Sequence, residues 1–500
     1  MKRMSVVSIL SIAGALAVAG CSDSGSGLTG AESAPPTFAA SATGSAAGQY
    51  VVSLKGNPSQ FSAAVEAMGG SVLFLHEPTK FALVAGLSAD QATGLTSRAD
   101  VAAVAADVAI AMNVPQHVID ETATVGPGIT SVANPAAAIR YSWQWNMRAI
   151  GADAAWAAGK LGSPSVTVAI LDTGIDYTSL DANGLVDLSR STSFVASDNA
   201  MRDAHFPTRH ISDDFNGHGT NVASQVSSTA VAHAGVTSRT TLISVKVLGA
   251  SGSGSSGGVL AGILYAADAG ADVINMSLGG AFLKSGGNGQ LVSLIGQVMN
   301  YAHRRGTLVV VSAGNDLIDL DHDLIPDEDT GEIGHFPSLY STYCDAPTVV
   351  CVSAVGPLTF TTTADIPAVY TNFGRSAISV AGPGGNIATT PSVWPWGVHI
   401  GSFVWSMCPI NLLNNPASPT PNTPANRPCR SGGSVNGYIG TSQASPHVAG
   451  LAALLIAESG KSNPSRIKAM IQQSADDLGP SGTDPYFGKG RINVRTALGL

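Results

Sequence analysis

The sequence predicts an α/β protein whose main body is a doubly wound, mainly parallel sheet flanked by helices, preceded by a smaller α+β unit. Three observations carry this expectation. From residue 141 onward, near-continuous apolar runs such as "VTVAILD" and "TLVVVSAGN" alternate with longer segments of helical period. Strands that are apolar on both sides are buried on both faces, as in a parallel sheet covered by helices. Residues 49–112 instead carry short strand-like and helical runs in the order βαββαβ. Finally, 500 residues that are 44% hydrophobic and 12% charged exceed one small domain and can fill a sizeable core.

In the smaller unit, "QYVVSLKG" reads as a strand and "PSQFSAAVEAMGG" as a helix with a glycine stop. "SVLFLHEP" and "KFALVAGLS" follow as strands, then "ADQATGLTSRAD" as a helix and "VAAVAADVAIAM" as a last strand. That order is the ferredoxin-like arrangement. Residues 113–140 lose periodicity and read as a linker. In the main body, "TTLISVKVL", "DVINMSLGG", "TVVCVSAVG" and "AISVAGPGG" add strands, while "GGVLAGILYAADAGA" and "LVSLIGQVMNYAHRRG" read as helices between strands. Sites in such sheets lie at the carboxyl ends of the strands, so the polar residues just after each apolar run matter most.

The first twenty residues read as an export signal. "MKRM" is a basic start, and "SVVSILSIAGALAVAG" is an apolar run too short to span a bilayer comfortably. It ends at Cys21 in "AVAGC", which resembles a bacterial lipoprotein box and implies cleavage before Cys21 with lipid on its sulfur. Residues 21–48 are small, polar and Pro/Gly-rich, as a flexible tether is. Of five cysteines, removing Cys21 leaves Cys344, Cys351, Cys408 and Cys429, enough for two disulfides in an oxidising compartment. Three pairings exist, and sequence proximity favours Cys344–Cys351 with Cys408–Cys429. A formal charge of −9 without a Lys/Arg cluster argues against nucleic acid as a partner.

Three residues stand out at the positions where the fold would place chemistry. Asp172 ends "VAILD", His218 lies between glycines in "NGHGTNVAS", and Ser442 opens the apolar helix of "GTSQASPHVAG". A Ser or Thr there, followed by Pro446, also reads as a helix cap. Together these segments make the chain resemble the subtilisin-like serine proteases over residues 141–500. "DTGID", "GHGT" and "GTSQASPHVAG" match the family's three active-site signatures, and "VVSAGN" and "YFGKGRINVRTAL" match further segments. The resemblance implies a subtilisin-like fold and peptide-bond hydrolysis through an acyl-enzyme, with no cofactor in catalysis. Ser442 would be the nucleophile, His218 its base, Asp172 the residue holding the imidazole, and Asn315 an oxyanion donor beside the Ser442 N–H. It further assigns Ser277, Leu278, Gly279 and Gly280 with Ser312, Ala313 and Gly314 to the S1 pocket. Gly252, Ser253 and Gly254 fall to the other cleft wall. Since no acidic residue interrupts "SLGG", an apolar P1 is expected.

Residues 49–112 are similar to the inhibitory propeptides of this family, which makes 113–140 the expected autoprocessing region. The expected product is a secreted endopeptidase acting on polypeptides as a monomer, touching membrane only through a lipid on Cys21. Cleavage downstream of Cys21 would free the enzyme from that anchor into the periplasm or medium. The alternatives are a maturation protease of few substrates and a non-catalytic binding lipoprotein, the latter disfavoured because all four catalytic positions are filled. Gln443 stands where many members have Met. Asp319, Asp321, Asp323 and Asp327 alternate like calcium-loop ligands and make that insertion a candidate structural calcium site, although Leu324 and Thr330 replace the usual Gly and Glu. Residues 386–436 form a second insertion, expected either to cover the primed side of the cleft or to be a disulfide-held surface loop.

Overall fold

Alternate residues of each central strand serve two different cores, and this places the main sheet in the middle of the molecule. Val168 and Ile170 pack with the helices His218–Val226 and Thr441–Ser459, whereas Ala169 and Leu171 pack with Ser256–Asp268 and Gly289–Arg304. The computed structural model describes residues 48–500 except 57, 121–130, 280, 284–288, 323, 327–332, 336–338, 342, 359–361, 388–400, 414–433 and 462. The signal segment, Cys21, Gly280, Asp323, Asp327 and Cys429 therefore lie outside the described residues. No helix among the described residues is long and apolar enough to cross a membrane.

The main sheet has seven strands, all parallel, as the burial pattern of the apolar runs predicts. Across the sheet they run Val380–Pro383, Val350–Val355, Leu308–Ser312, Val273–Met276, Thr167–Asp172, Thr241–Lys246 and Thr192–Ser193. Thr167–Asp172 comes first in sequence and sits inside the sheet, so the winding reverses beside it. Such a reversal opens a crevice at the carboxyl ends of the strands. Cys344 and Cys351 form a disulfide across a Cα separation of 5.2 Å. Cys408 is also disulfide-bonded, with a partner outside the described residues.

The N-terminal unit has an antiparallel four-stranded sheet in the order Ser71–His76, Phe81–Ala85, Tyr50–Leu54, Val101–Ala106. This matches the ferredoxin-like arrangement except at its end. The run expected as one last strand is two: Val101–Ala106 stays in the sheet, and Ala109–Ala111 leaves it to pair with Ser253–Ser255. Asp107 causes the break, since its buried carboxylate accepts from Gly257 N at 2.7 Å at the start of another helix. The expected linker also contains a strand, Gln116–Asp120, paired antiparallel with Val435–Ile439. Val435–Ile439 pairs in turn with Val404–Met407, so these strands at the second insertion are buried, while 388–400 and 414–433 lie outside the described residues.

His447 is enclosed by the longest helix of the core. Its Nδ1 donates to Gln443 O at 2.7 Å, and its Nε2 accepts from Asn146 Nδ2 at 2.8 Å. Burial pushes its pKa down to about 4. An unfolded chain takes up that proton near pH 6.5, so the stability contributed by the neutral ring is complete above pH 6.5 and is lost as pH falls towards about 4. The loss should reach about 3 kcal/mol. Urea midpoints of the protein and of His447→Gln should therefore converge between pH 6.5 and 4; a constant gap would contradict this account.

Candidate active site

Asp172 is the last residue of its strand, fully buried, and held there by its own main chain. Its carbonyl oxygen accepts from Val247 N at 3.0 Å and Leu248 N at 3.1 Å. The side-chain Oδ1 accepts from Thr173 N at 2.7 Å and lies 2.8 Å from His218 Nδ1. His218 begins the helix His218–Val226 after Gly217, whose φ of +103° suits glycine. Gly219 has a separate reason: a Cβ there would stand 2.2 Å from Gly174 O and 3.1 Å from Asp172 Oδ1. Any larger residue would drive the two loops apart. With Asp172 accepting, the imidazole carries its proton on Nδ1 and offers Nε2 as the basic nitrogen. Nε2 is buried and has no hydrogen-bond partner among the described residues. The Tyr438 ring packs against the imidazole at near right angles, 5.4 Å between centroids.

Ser442 is the second residue of the helix Thr441–Ser459. The capping expectation fails in detail, because the N-cap is Gly440 and no side chain of the helix caps it. The first N–H is satisfied from across the cleft: Asn315 Oδ1 accepts from Thr441 N and from Thr441 Oγ1, both at 2.8 Å. With the oxygen so engaged, the Asn315 amide turns Nδ2 into the cleft. Ser442 Oγ donates to Ser277 O at 3.2 Å, so the serine–histidine hydrogen bond is not made in this conformation. Such bonds commonly tighten only when substrate and enzyme meet in the reactive complex. Ser445 is structural, its hydroxyl 2.9 Å from that of Ser277.

The other predicted positions gather around this centre. Ser277, Leu278 and Gly279 leave the strand Val273–Met276, and Ser312, Ala313 and Gly314 end or follow its parallel neighbour Leu308–Ser312. Ser277 Oγ donates to Ser442 O at 2.7 Å, tying this wall to the serine helix. Gly252, Ser253 and Gly254, expected as the other cleft wall, lie in and just before the strand Ser253–Ser255, which pairs antiparallel with Ala109–Ala111. Of the four acidic residues expected as calcium ligands, Asp323 and Asp327 lie outside the described residues, and Asp319 and Asp321 have protein partners. Asp319 Oδ2 pairs with His322 at 2.9 Å, and Asp321 Oδ1 accepts from Ser376 Oγ at 2.6 Å. Among the described residues no group of three or more His, Cys, Asp or Glu could hold a metal ion.

Two buried residues that hold the loops were not singled out from sequence. Asp214 accepts from Asn216 N, Gly217 N, Thr220 N and Thr173 Oγ1 at 2.9 Å, and from Thr220 Oγ1 at 2.6 Å. Lys246 Nζ donates to Thr173 O at 2.7 Å and Asp213 O at 3.0 Å and pairs with Asp198 at 2.8 Å. The signals were present as a doubled Asp in "DDFNGHGT" and a lone charge in "LISVKVL".

Comparison with known proteins agrees with this geometry. Residues 163–490 match the subtilase family, Peptidase_S8. The thermophilic serine proteinase of Bacillus sp. strain AK1 is 31% identical over 351 residues, 69% of this chain and 64% of that protein, so the chain spans just under two thirds of that relative. Thermitase of Thermoactinomyces vulgaris is 30% identical over 361 residues, 71% of this chain and 96% of thermitase. In fold, the chain is similar to the crystal structure of the epidermin leader peptide processing serine protease EpiP from Staphylococcus aureus. That likeness has a TM-score of 0.66 at 21% identity and covers 91% of this chain and 98% of the other. With an aspartate–histidine pair, a serine at a helix N-terminus and an asparagine facing it on the matched segment, the chain belongs to the subtilase family of serine proteases, hydrolases that act on peptide bonds.

Proposed function

We propose that the chain is made as an exported, self-inhibited precursor and acts as a serine endopeptidase of broad specificity with an apolar P1. The observation that carries this reading is the buried Asp172–His218 pair beside Ser442, with Asn315 fixed across from it. Ser442 Oγ attacks the scissile carbonyl carbon while His218 Nε2 takes its proton. Asn315 Nδ2 and the Ser442 N–H hold the oxyanion, and His218 protonates the leaving amine. Water then releases the acyl group by the same proton transfers in reverse. Every step uses residues of this chain, without a cofactor.

Precursor inhibition is supported by how residues 49–112 pack. Val51, Phe81 and Leu83 share a core with the helices Ser256–Asp268 and Gly289–Arg304, and His76 Nε2 lies 2.9 Å from Asp268. The lipoprotein signal and the lipid on Cys21 rest on sequence alone. They imply a precursor held at the cell envelope and a catalytic domain outside the cytoplasm.

Purified protein should hydrolyse casein and chromogenic peptides and be blocked by a serine-directed inhibitor, while Ser442→Ala should be inactive; activity in that variant would sink the mechanism. Asn315→Ala should fold but lose about 10²–10³ in kcat. Gln443, buried behind Ser442, offers no thioether to oxidise, so activity should survive dilute peroxide, and rapid inactivation would count against this. Peptide libraries test the apolar P1: a preference for Arg or Lys would overturn it.

A further inference from the structure

Residues 109–120 leave the N-terminal unit, pair with the strand Ser253–Ser255, pass Asn315, and pair with the strand Val435–Ile439. On one side, Ala109, Ile110 and Ala111 pair antiparallel with Ser255, Gly254 and Ser253. The next residue, Met112, donates its N–H to Gly252 O at 3.0 Å. Its side chain lies over Gly252, where an added Cβ would stand 2.7 Å from Met112 Cε. Asn113 then places its carbonyl oxygen 2.6 Å from Asn315 Nδ2, the oxyanion donor. Pro115 sits beside Gly440, two residues before Ser442. From Gln116 the chain pairs with Ile439 and continues in register to Asp120 opposite Val435.

A linker crossing the surface by chance would not pair in register first with Ser253–Ser255 and then with Val435–Ile439, and present one carbonyl to the oxyanion donor between the two pairings. Only Asn113 does so. Its side chain is also read, since Asn113 Nδ2 donates to Asp316 Oδ1 at 2.7 Å, and Asp316 directly follows Asn315. We propose that the Asn113–Val114 peptide bond is the chain's own processing site, and that Asp316 recognises the asparagine before it.

This inference rests on the serine endopeptidase reading. Ser442 Oγ bonds to the Asn113 carbonyl carbon and its proton passes to His218 Nε2. The bond to Val114 N breaks as His218 returns that proton to the amine. Solvent water then attacks the Asn113–Ser442 ester, giving one proton to His218 and leaving a carboxylic acid on Asn113, which ionises, while the proton on His218 restores Ser442. The products are a chain ending at Asn113 and one beginning at Val114. In this intramolecular substrate Asp316 selects a polar P1, unlike the apolar preference proposed for other peptides. Cleavage leaves Val114–Asp120 on the catalytic side, still attached to the strand it pairs with.

The test uses the full chain and its Ser442→Ala variant, with N-terminal sequencing and intact mass of the earliest product. The protein should yield a new N-terminus at Val114, and Ser442→Ala should stay intact until active enzyme is added, then be cut at the same bond. Asp316→Ala should slow processing about tenfold. It should have no further effect in an Asn113→Leu chain, which isolates the side-chain contact. A synthetic peptide of residues 107–120 given to active enzyme supplies the same readout where a variant fails to fold. An enzyme that hydrolyses casein but stays uncut, or whose first product begins elsewhere, overturns this proposal and leaves the endopeptidase reading intact. Cleavage of Ser442→Ala on its own after Asn113 would assign the step to asparagine cyclisation and overturn it too. Absence of both casein hydrolysis and processing would bring down the endopeptidase reading on which it rests.

Discussion

The carboxylate of Asp214 is the fixed point of the catalytic loops. It is fully buried, and a buried carboxylate is tolerated only when its lone pairs are satisfied. Three backbone N–H groups and two threonine hydroxyls satisfy it. Because Thr173 follows Asp172 directly, and its hydroxyl also accepts from Gly219 N, one anion spans the end of a strand and the start of a helix. Asp172 projects from the first and His218 from the second. Their 2.8 Å contact is thus set by a neighbouring charge that takes no part in proton transfer. Lys246 does the complementary work from below, holding two carbonyls of the same loops. Its register partner in the sheet is Asp172, so the cation lies under the site by topology.

A second economy concerns the Asn315 amide. A helix N-terminus leaves several N–H groups without partners, and here Gly440 has no side chain to cap them. Asn315 Oδ1 fills that role from another segment, and the planar amide then has a single direction left for Nδ2. The Nδ2 group proposed to hold the oxyanion is thus oriented by its own oxygen's hydrogen bonds. Ser442 is the second residue of the same helix, so its N–H belongs to the first turn, where the dipole is positive.

Much of this was legible in the sequence because parallel strands are apolar throughout and end abruptly. Asp172 and Asn315 could be placed at or just after strand ends from "VAILD" and "VVVSAGN" alone, and a short signature identified His218 and Ser442. What periodicity cannot reveal is pairing at a distance. "VAAVAADVAIAM" is uniformly apolar but for Asp107, and only the docked helix start at Gly257 explains why the strand breaks there. Gln116–Asp120 has no pattern of its own because its order comes from Val435–Ile439. The importance of Asp214 and Lys246 lies in their burial, which residue identity does not encode. The alternation of Asp319 and Asp321 likewise does not reveal that His322 and Ser376 are their side-chain partners.

The broken strand at Asp107 also explains how the N-terminal unit delivers its chain to the cleft. The helix Ser256–Asp268 starts directly after the cleft wall Ser253–Ser255. Asp107 accepts from its first turn, and His76 reaches Asp268, its last residue. The unit thus grips one thirteen-residue helix at both ends, about 20 Å apart, with an anion at the end where the helix dipole is positive. A rigid sheet held at two such points has no freedom to slide along the helix. The residue that fixes the near point is also the one where the chain leaves the sheet, so the residues after it must enter beside Ser255. From there the strand Ser253–Ser255 accepts them as an added strand, and four residues lie between Val108 and Asn113, whose carbonyl faces Asn315. The position of that carbonyl is therefore set by where the N-terminal unit docks as well as by the side chains entering the cleft.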